Sequence, residues 1–129
     1  MTVVLDTHVW IWWVAAPNRL SRKAKSRIGA SSRIGVSAVS CLEVATAVAK
    51  GRISLDRGVL DWLQTALSPK RVELVALTPQ IAVAAAQLGR DFPGDPADRV
   101  IAATAILESA VLLTKDDKLH GRAGLSAEW

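Results

Sequence analysis

The chain opens on an apolar run, Val3-Val4-Leu5, closed by Asp6-Thr7. Two of these three are β-branched, which predicts a buried strand over Thr2–Leu5. Val9 to Ala15 follows as an apolar, helix-like run, broken by Pro17 and Asn18. Ser21 is expected to cap a basic amphipathic helix from Arg22 to about Ser31. Arg33 to Ser37 reads as a second strand. Ser40 then opens a helix expected over Cys41 to Lys50, with Gly51 as its stop. Asp56 is expected to cap a helix carrying Val59, Leu60, Trp62, Leu63 and Leu67, ended near Pro69. Val72 to Leu77 predicts a third strand, and Thr78-Pro79 starts a helix through Leu88, with Gly89 at its end. Val111 to Thr114 predicts a fourth strand, before a short helix to about His120 and a weak strand around Leu125 to Trp129.

Strands that alternate with helices imply a parallel sheet covered on both faces. The strands are nearly all apolar, as parallel strands buried on both sides should be. The expected fold is therefore a three-layer α/β sandwich. At 129 residues the chain is expected to form one domain, 1–129. Half of it is hydrophobic and 22% charged, which fits a folded protein and excludes a disordered one. No apolar run reaches the roughly 18 residues of a membrane helix, and no signal peptide is evident, so a cytoplasmic protein without a membrane partner is expected. Cys41 is the only cysteine, which excludes an internal disulfide and argues against a Cys-based zinc site.

Between those elements lies the segment Asp95-Pro96-Ala97-Asp98-Arg99, ahead of the apolar run Val100 to Leu107. Asp95 is a good N-cap and Pro96 suits the first helical position. Asp98 thus stands in the first turn of a buried helix. It could serve only to complement the helix dipole. Three other acids bear on that choice. In open parallel sheets ligands bind beyond the carboxyl ends of the strands. Asp6 directly follows the first strand, Asp116 closely follows the fourth, and Glu43 lies one turn into the helix after the second. Each has a plain alternative: Asp6 as an N-cap, Asp116 or Asp117 as a turn acid, and Glu43 as the partner of Ser40 in a capping box. That all four gather on one edge by accident is the less credible account. Clustered carboxylates raise one another's pKa and call for a cation. An all-oxygen set without Cys selects Mg²⁺ or Mn²⁺ over zinc. His8 and His120 form no metal-spaced pair and stay outside the chemistry.

The formal charge is +4, and Asp6 is the only acid before Glu43. Arg19, Arg22, Lys23, Lys25, Arg27 and Arg33 form a basic stretch that suits a polyanion or, more plainly, a solvated helix face. Trp10 and Trp13 share a helix face, and Trp12 points elsewhere. Core plus interface is the favoured assignment of the three, ahead of a base-stacking platform. A basic protein with an acidic metal pocket matches a nuclease.

The motifs Val3-Val4-Leu5-Asp6-Thr7-His8, Ser37-Ala38-Val39-Ser40-Cys41-Leu42-Glu43, Asp95-Pro96-Ala97-Asp98-Arg99 and Leu112-Leu113-Thr114-Lys115-Asp116 occur in that order. Together they make the chain resemble PIN-domain ribonucleases of the VapC toxin type over essentially its whole length. Cys41 stands where many relatives carry an aromatic or aliphatic residue, a change that touches packing and not chemistry. The resemblance implies a five-stranded sheet of order 3-2-1-4-5. It implies that Asp6, Glu43, Asp98 and Asp116 are catalytic and hold Mg²⁺ or Mn²⁺, with Thr7, Ser37 and Thr114 supporting them through hydroxyls. It further implies RNA cleavage by metal-activated water to a 3′-hydroxyl and a 5′-phosphate, translation arrest, and a cognate VapB-type antitoxin. A homodimer is also implied, with the Trp10/Trp13 surface as one place for its packing, and Arg19, Arg22, Lys23 and Lys25 are expected to hold RNA. The competing reading is a non-catalytic RNA-binding or interaction module on the same fold. It predicts a lost acid, and none of the four is missing.

Overall fold

The computed structural model describes residues 1–93 and 95–129. Strands β1 (Thr2–Leu5), β2 (Arg33–Ser37), β3 (Val72–Val75), β4 (Val111–Leu113) and β5 (Ala127–Glu128) form one sheet of order β3-β2-β1-β4-β5. Every pairing is parallel, with Leu5 opposite both Val36 and Leu113. The helices are α1 (Thr7–Ala15), α2 (Arg22–Ala30), α3 (Ala38–Ala49), α4 (Val59–Ala66), α5 (Pro79–Ala86) and α6 (Pro96–Leu107).

Alternation along β1 builds the layers. Val3 and Leu5 point to one face, where Trp10 of α1, Ala24 and Ile28 of α2 and Trp62 of α4 close a core. Val4 points to the other and meets Ile101, Ala102 and Ala105 of α6. Val75 and Ala103 join Ile81 and Ala85 of α5 on that side. The three-layer α/β sandwich follows from this period of two. Among the described residues no helix is long and apolar enough to cross a membrane.

Several boundaries move for local reasons. Helix α1 begins at Thr7, because the Asp6 side chain accepts from Val9 N at 2.9 Å and caps it there. Helix α3 begins at Ala38, capped by Ser37, whose Oγ accepts from Val39 N. Ser40 is therefore not the cap. At its other end Gly51, at φ 70°, sends its N–H to Val48 O, while Arg52 N reaches Ala47 O. That pair of bonds is a Schellman close, in which glycine tolerates the left-handed turn. Helix α4 is preceded by Gly58 with no side-chain cap, and Asp56 instead pairs with Arg57 at 3.2 Å. Strand β3 stops at Val75, beyond which Leu77 is exposed. Trp10 is fully buried against Trp62, with ring centroids 5.4 Å apart. Contrary to expectation, the Trp10 half of the Trp10/Trp13 face is core and offers nothing to a second copy, and only Trp13 stays partly open.

Candidate active site

The switch in strand order falls between β1 and β4, and the chain leaves both strands there, at Asp6 and Thr114. Asp6 N donates to Leu113 O at 3.1 Å, which ties the two strand ends together. Thr114, fully buried, donates its hydroxyl to Asp6 Oδ2 and accepts from Asp116 N at 3.1 Å. One buried threonine thus sets the spacing between two of the expected acids. Burial pushes the Asp6 carboxyl up; the bonds from Thr114 and Val9 and the charge of His8 oppose the rise, and Asp116 adds to it.

Glu43 is half-buried on α3, and its Oε1 accepts from the Thr7 hydroxyl. Thr7 Oγ1 also lies 2.9 Å from Ser40 Oγ, a wholly buried group. Thr7 has one hydroxyl proton, and the carboxylate takes it, so Ser40 donates to Thr7. Ser40, expected as a helix cap, is in fact the inner end of this chain, and Glu43 bonds Thr7 and not the backbone of a capping box. The residue that sequence reasoning missed, Ser40, was hidden because it and Ser37, three positions apart, both suit a helix cap.

Asp98 sits in the first turn of α6, and Asp95 caps that helix by accepting from Asp98 N at 3.0 Å. Among the described residues no donor reaches the Asp98 carboxylate. Its pKa is raised to about 6, first by burial and then by the charges of Asp95, Glu43, Asp116 and Asp6. All three other expected acids therefore act on Asp98. Asp116 is exposed and caps a 3-10 turn, Asp117–Leu119, through Lys118 N. The Asp117 side chain has no such role. His120 Nε2 donates to Thr114 O at 2.9 Å and steadies the same loop, for which the sequence carries no signal.

The donor set fits a hard divalent cation: four carboxylates and no sulfur. Among the described residues, however, no three acidic, His or Cys side chains converge on a common point at ligand distance. Two of the four are oriented by hydroxyls, which is the second layer that metal carboxylates ordinarily carry. Ser37 spends its hydroxyl on the α3 cap and reaches none of the acids.

A groove of about 620 Å³ runs from Thr7, His8 and Glu43 between α1, α3 and α6, with Leu42 on its wall and Lys50 and Arg52 at its far end. The expected basic stretch divides. Lys23 and Arg27 pair with Glu128, and Arg33, at the opposite edge of the sheet, pairs with Glu73 and Glu108. Arg19 lies over Trp12, and Arg22 and Lys25 are exposed on α2.

The PIN domain family matches residues 3–125. Over 119 residues the chain is 45% identical to Ribonuclease VapC22 of Mycobacterium tuberculosis, covering 92% of this chain and 90% of that one. VapBC2 from Rickettsia felis, solved on a DNA fragment from its promoter, shares the fold at TM-score 0.75 and 19% identity, over 99% of this chain and 98% of that one. DNA-bound VapBC from Salmonella typhimurium does so at TM-score 0.73 and 20% identity, over 99% and 97%. The sheet order, the family match and the ribonuclease relative agree: the chain belongs to the PIN domain family.

Proposed function

We propose that this protein is a metal-dependent endoribonuclease of the VapC type, the toxin of a toxin–antitoxin pair, acting through Asp6, Glu43, Asp98 and Asp116. The observation that carries the reading is geometric: buried Thr114 joins Asp6 to the backbone of Asp116 and Thr7 holds Glu43, at the sheet edge where Asp98 opens α6. Burial and acids from three other elements, besides the α6 cap Asp95, raise the half-buried Asp98 carboxyl, a costly arrangement that helix capping does not require.

Asp6, Glu43, Asp98 and Asp116 would hold Mg²⁺ or Mn²⁺, which would supply an activated water and offset charge at the phosphoryl group. The chain's own residues set the stage. Thr114 fixes Asp6 and, through its Oγ, the backbone of Asp116, so both move as one unit. Thr7, backed by Ser40, holds one oxygen of Glu43 and leaves the other to the site. Asp98 is held by the rigid start of α6 and has its carboxylate open. In the hydrolysis a water oxygen bonds to phosphorus and the bond to the 3′ oxygen breaks, leaving a 3′-hydroxyl and a 5′-phosphate. Cleavage of this kind would arrest translation. The VapBC structures that share the fold support a VapB-type antitoxin as partner; that it covers the acids, and that the protein forms a homodimer, are proposed on the family's habit.

The test is RNA cleavage by purified protein with EDTA, then with Mg²⁺ or Mn²⁺ restored. Loss and recovery are expected, with Asp116→Asn and Glu43→Gln inactive in both ions. Undiminished cleavage in excess EDTA removes the mechanism. RNA binding without cleavage in any divalent ion would leave the non-catalytic module.

A further inference from the structure

Trp12 lies on α1, six residues past Asp6 and therefore about 9 Å along the helix, and it is half-buried where Trp10 is wholly inside. The Arg19 guanidinium sits 4.7 Å from its ring centroid and Lys115 Nζ 5.9 Å from it. Trp129 meets the ring edge-on at 5.8 Å and 62°, and His8 lies tilted at 6.0 Å. Lys115 stands between Thr114, the donor to Asp6, and Asp116, so the aromatic group adjoins the acids directly. Lys23, Arg27, Arg33, Arg57 and Arg122 are all in ion pairs. Among the described residues Arg19 and Lys115, both exposed, are in none; Arg22, Lys25, Lys50 and Arg52 are likewise unpaired, and what sets the first two apart is the Trp12 ring that both lie over.

We propose that Trp12, Trp129, Arg19 and Lys115 form a nucleotide subsite flanking the scissile phosphate. A base of single-stranded RNA stacks on the Trp12 ring, which Trp129 buttresses edge-on, and the adjoining phosphate sits between the two cations. The proposal rests on the ribonuclease reading above. Two cations held over an aromatic face with no carboxylate to satisfy them suit a ligand that is both planar and anionic. A nucleotide is both. Exposed cation–π contacts are weak, so a phosphate can draw the guanidinium aside and open the ring to a base. Every base has a π-face, so the subsite gives affinity with little sequence preference. It differs from the α2 basic face in combining stacking with charge, and none of its four residues lines the groove that ends at Lys50 and Arg52.

The experiment is steady-state cleavage of a short single-stranded RNA in Mg²⁺ by wild type, Trp12→Leu, Trp12→Phe and the double variant Arg19→Gln/Lys115→Gln. Binding is followed in parallel by tryptophan quenching in EDTA. We expect Trp12→Leu to raise KM and the RNA Kd roughly tenfold, and kcat to stay within about twofold. Trp12→Phe should recover most of the loss. The double variant should lower the salt slope of binding by about 0.7 for each phosphate it leaves unneutralised. Because Arg19 and Lys115 are exposed, that variant keeps the test alive even if Trp12→Leu unfolds. If wild type cleaves RNA while Kd, KM and salt slope are unmoved in the double variant, the subsite is overturned and the nuclease reading stands. A fall in kcat alone also overturns it. If wild type cleaves no RNA in Mg²⁺ or, on replacement, in Mn²⁺, both readings fail.

Discussion

Asp98 stands in the first turn of α6 with its carboxyl raised to about 6, so in metal-free protein its charge opposes folding at neutral pH. Between the ordinary value of 3.8 and about 6 the folded chain binds more protons at this group than the unfolded chain does. Stability contributed here therefore falls as pH rises through that window and is lowest above it. Asp6, also raised, acts in the same direction. Glu73, held below its usual 4.5 by Arg33, acts in the opposite direction but only at lower pH. Metal-free protein should accordingly melt higher at pH 5 than at pH 7, and Asp98→Asn should reduce that difference. At pH 7 the same variant should melt at or above wild type, gain less from Mn²⁺, and lose nuclease activity and toxicity. Asp95→Asn is the control, since asparagine caps a helix about as well as aspartate; its toxicity should survive. If Asp98→Asn stays toxic and Asp95→Asn does not, the metal has been assigned to the wrong aspartate. The four acids are legible as candidates in the sequence because Asp6 and Asp116 follow strand ends, Asp98 opens a helix and Glu43 is the lone acid within α3. The hydroxyls are less so: Thr7 and Thr114 do bond acids, whereas Ser37 does not and Ser40 takes an unforeseen place.

Strands and helices as classes are legible from the chain because their apolar runs are long and clearly bounded. Helix α2 and the start of α6 match expectation closely, since Ser21 and Asp95 each have no rival cap nearby. The ends of α3 and α4 are not legible. Ser37 and Ser40 are both capping residues three apart, and only the way the chain leaves β2 decides between them. Likewise Asp56 looks like a cap, but two residues and an arginine pairing intervene before α4 begins. The distinction is measurable by chemical denaturation. Ser37→Ala should cost about 1 kcal/mol through the missing cap, while Asp56→Ala should stay within about 0.5 kcal/mol as a surface change. Equal costs would return Asp56 to a capping role. Gly51→Ala meets no atom within 4 Å but must hold φ at 70°. It should therefore destabilise by roughly 1 kcal/mol through backbone strain alone.

Over the whole molecule, charge is sorted by the sheet. Arg33 opens β2 at the edge away from the acids, where Glu73 and Glu108 take both sides of its guanidinium at 2.5 and 3.0 Å. Helix α2 ends where β2 begins, so Arg22 at its other end is carried toward the acidic edge, with Lys25 one turn behind. The basic stretch that the sequence presents as one run is thus two devices: a staple between strands and a face open to a polyanion. The sequence cannot separate them, because the pairing partners lie 40 and 75 positions away. Salt dependence can. Arg22→Gln with Lys25→Gln should flatten the salt slope of RNA binding by about 0.7 for each phosphate no longer neutralised and leave the melting temperature nearly unchanged. Arg33→Gln should leave the slope alone and lower stability, by up to roughly 1 kcal/mol for each half-exposed pair. A slope that flattens with Arg33→Gln and not with the α2 pair would mean that RNA runs along the far edge of the sheet, away from Asp6 and Asp116.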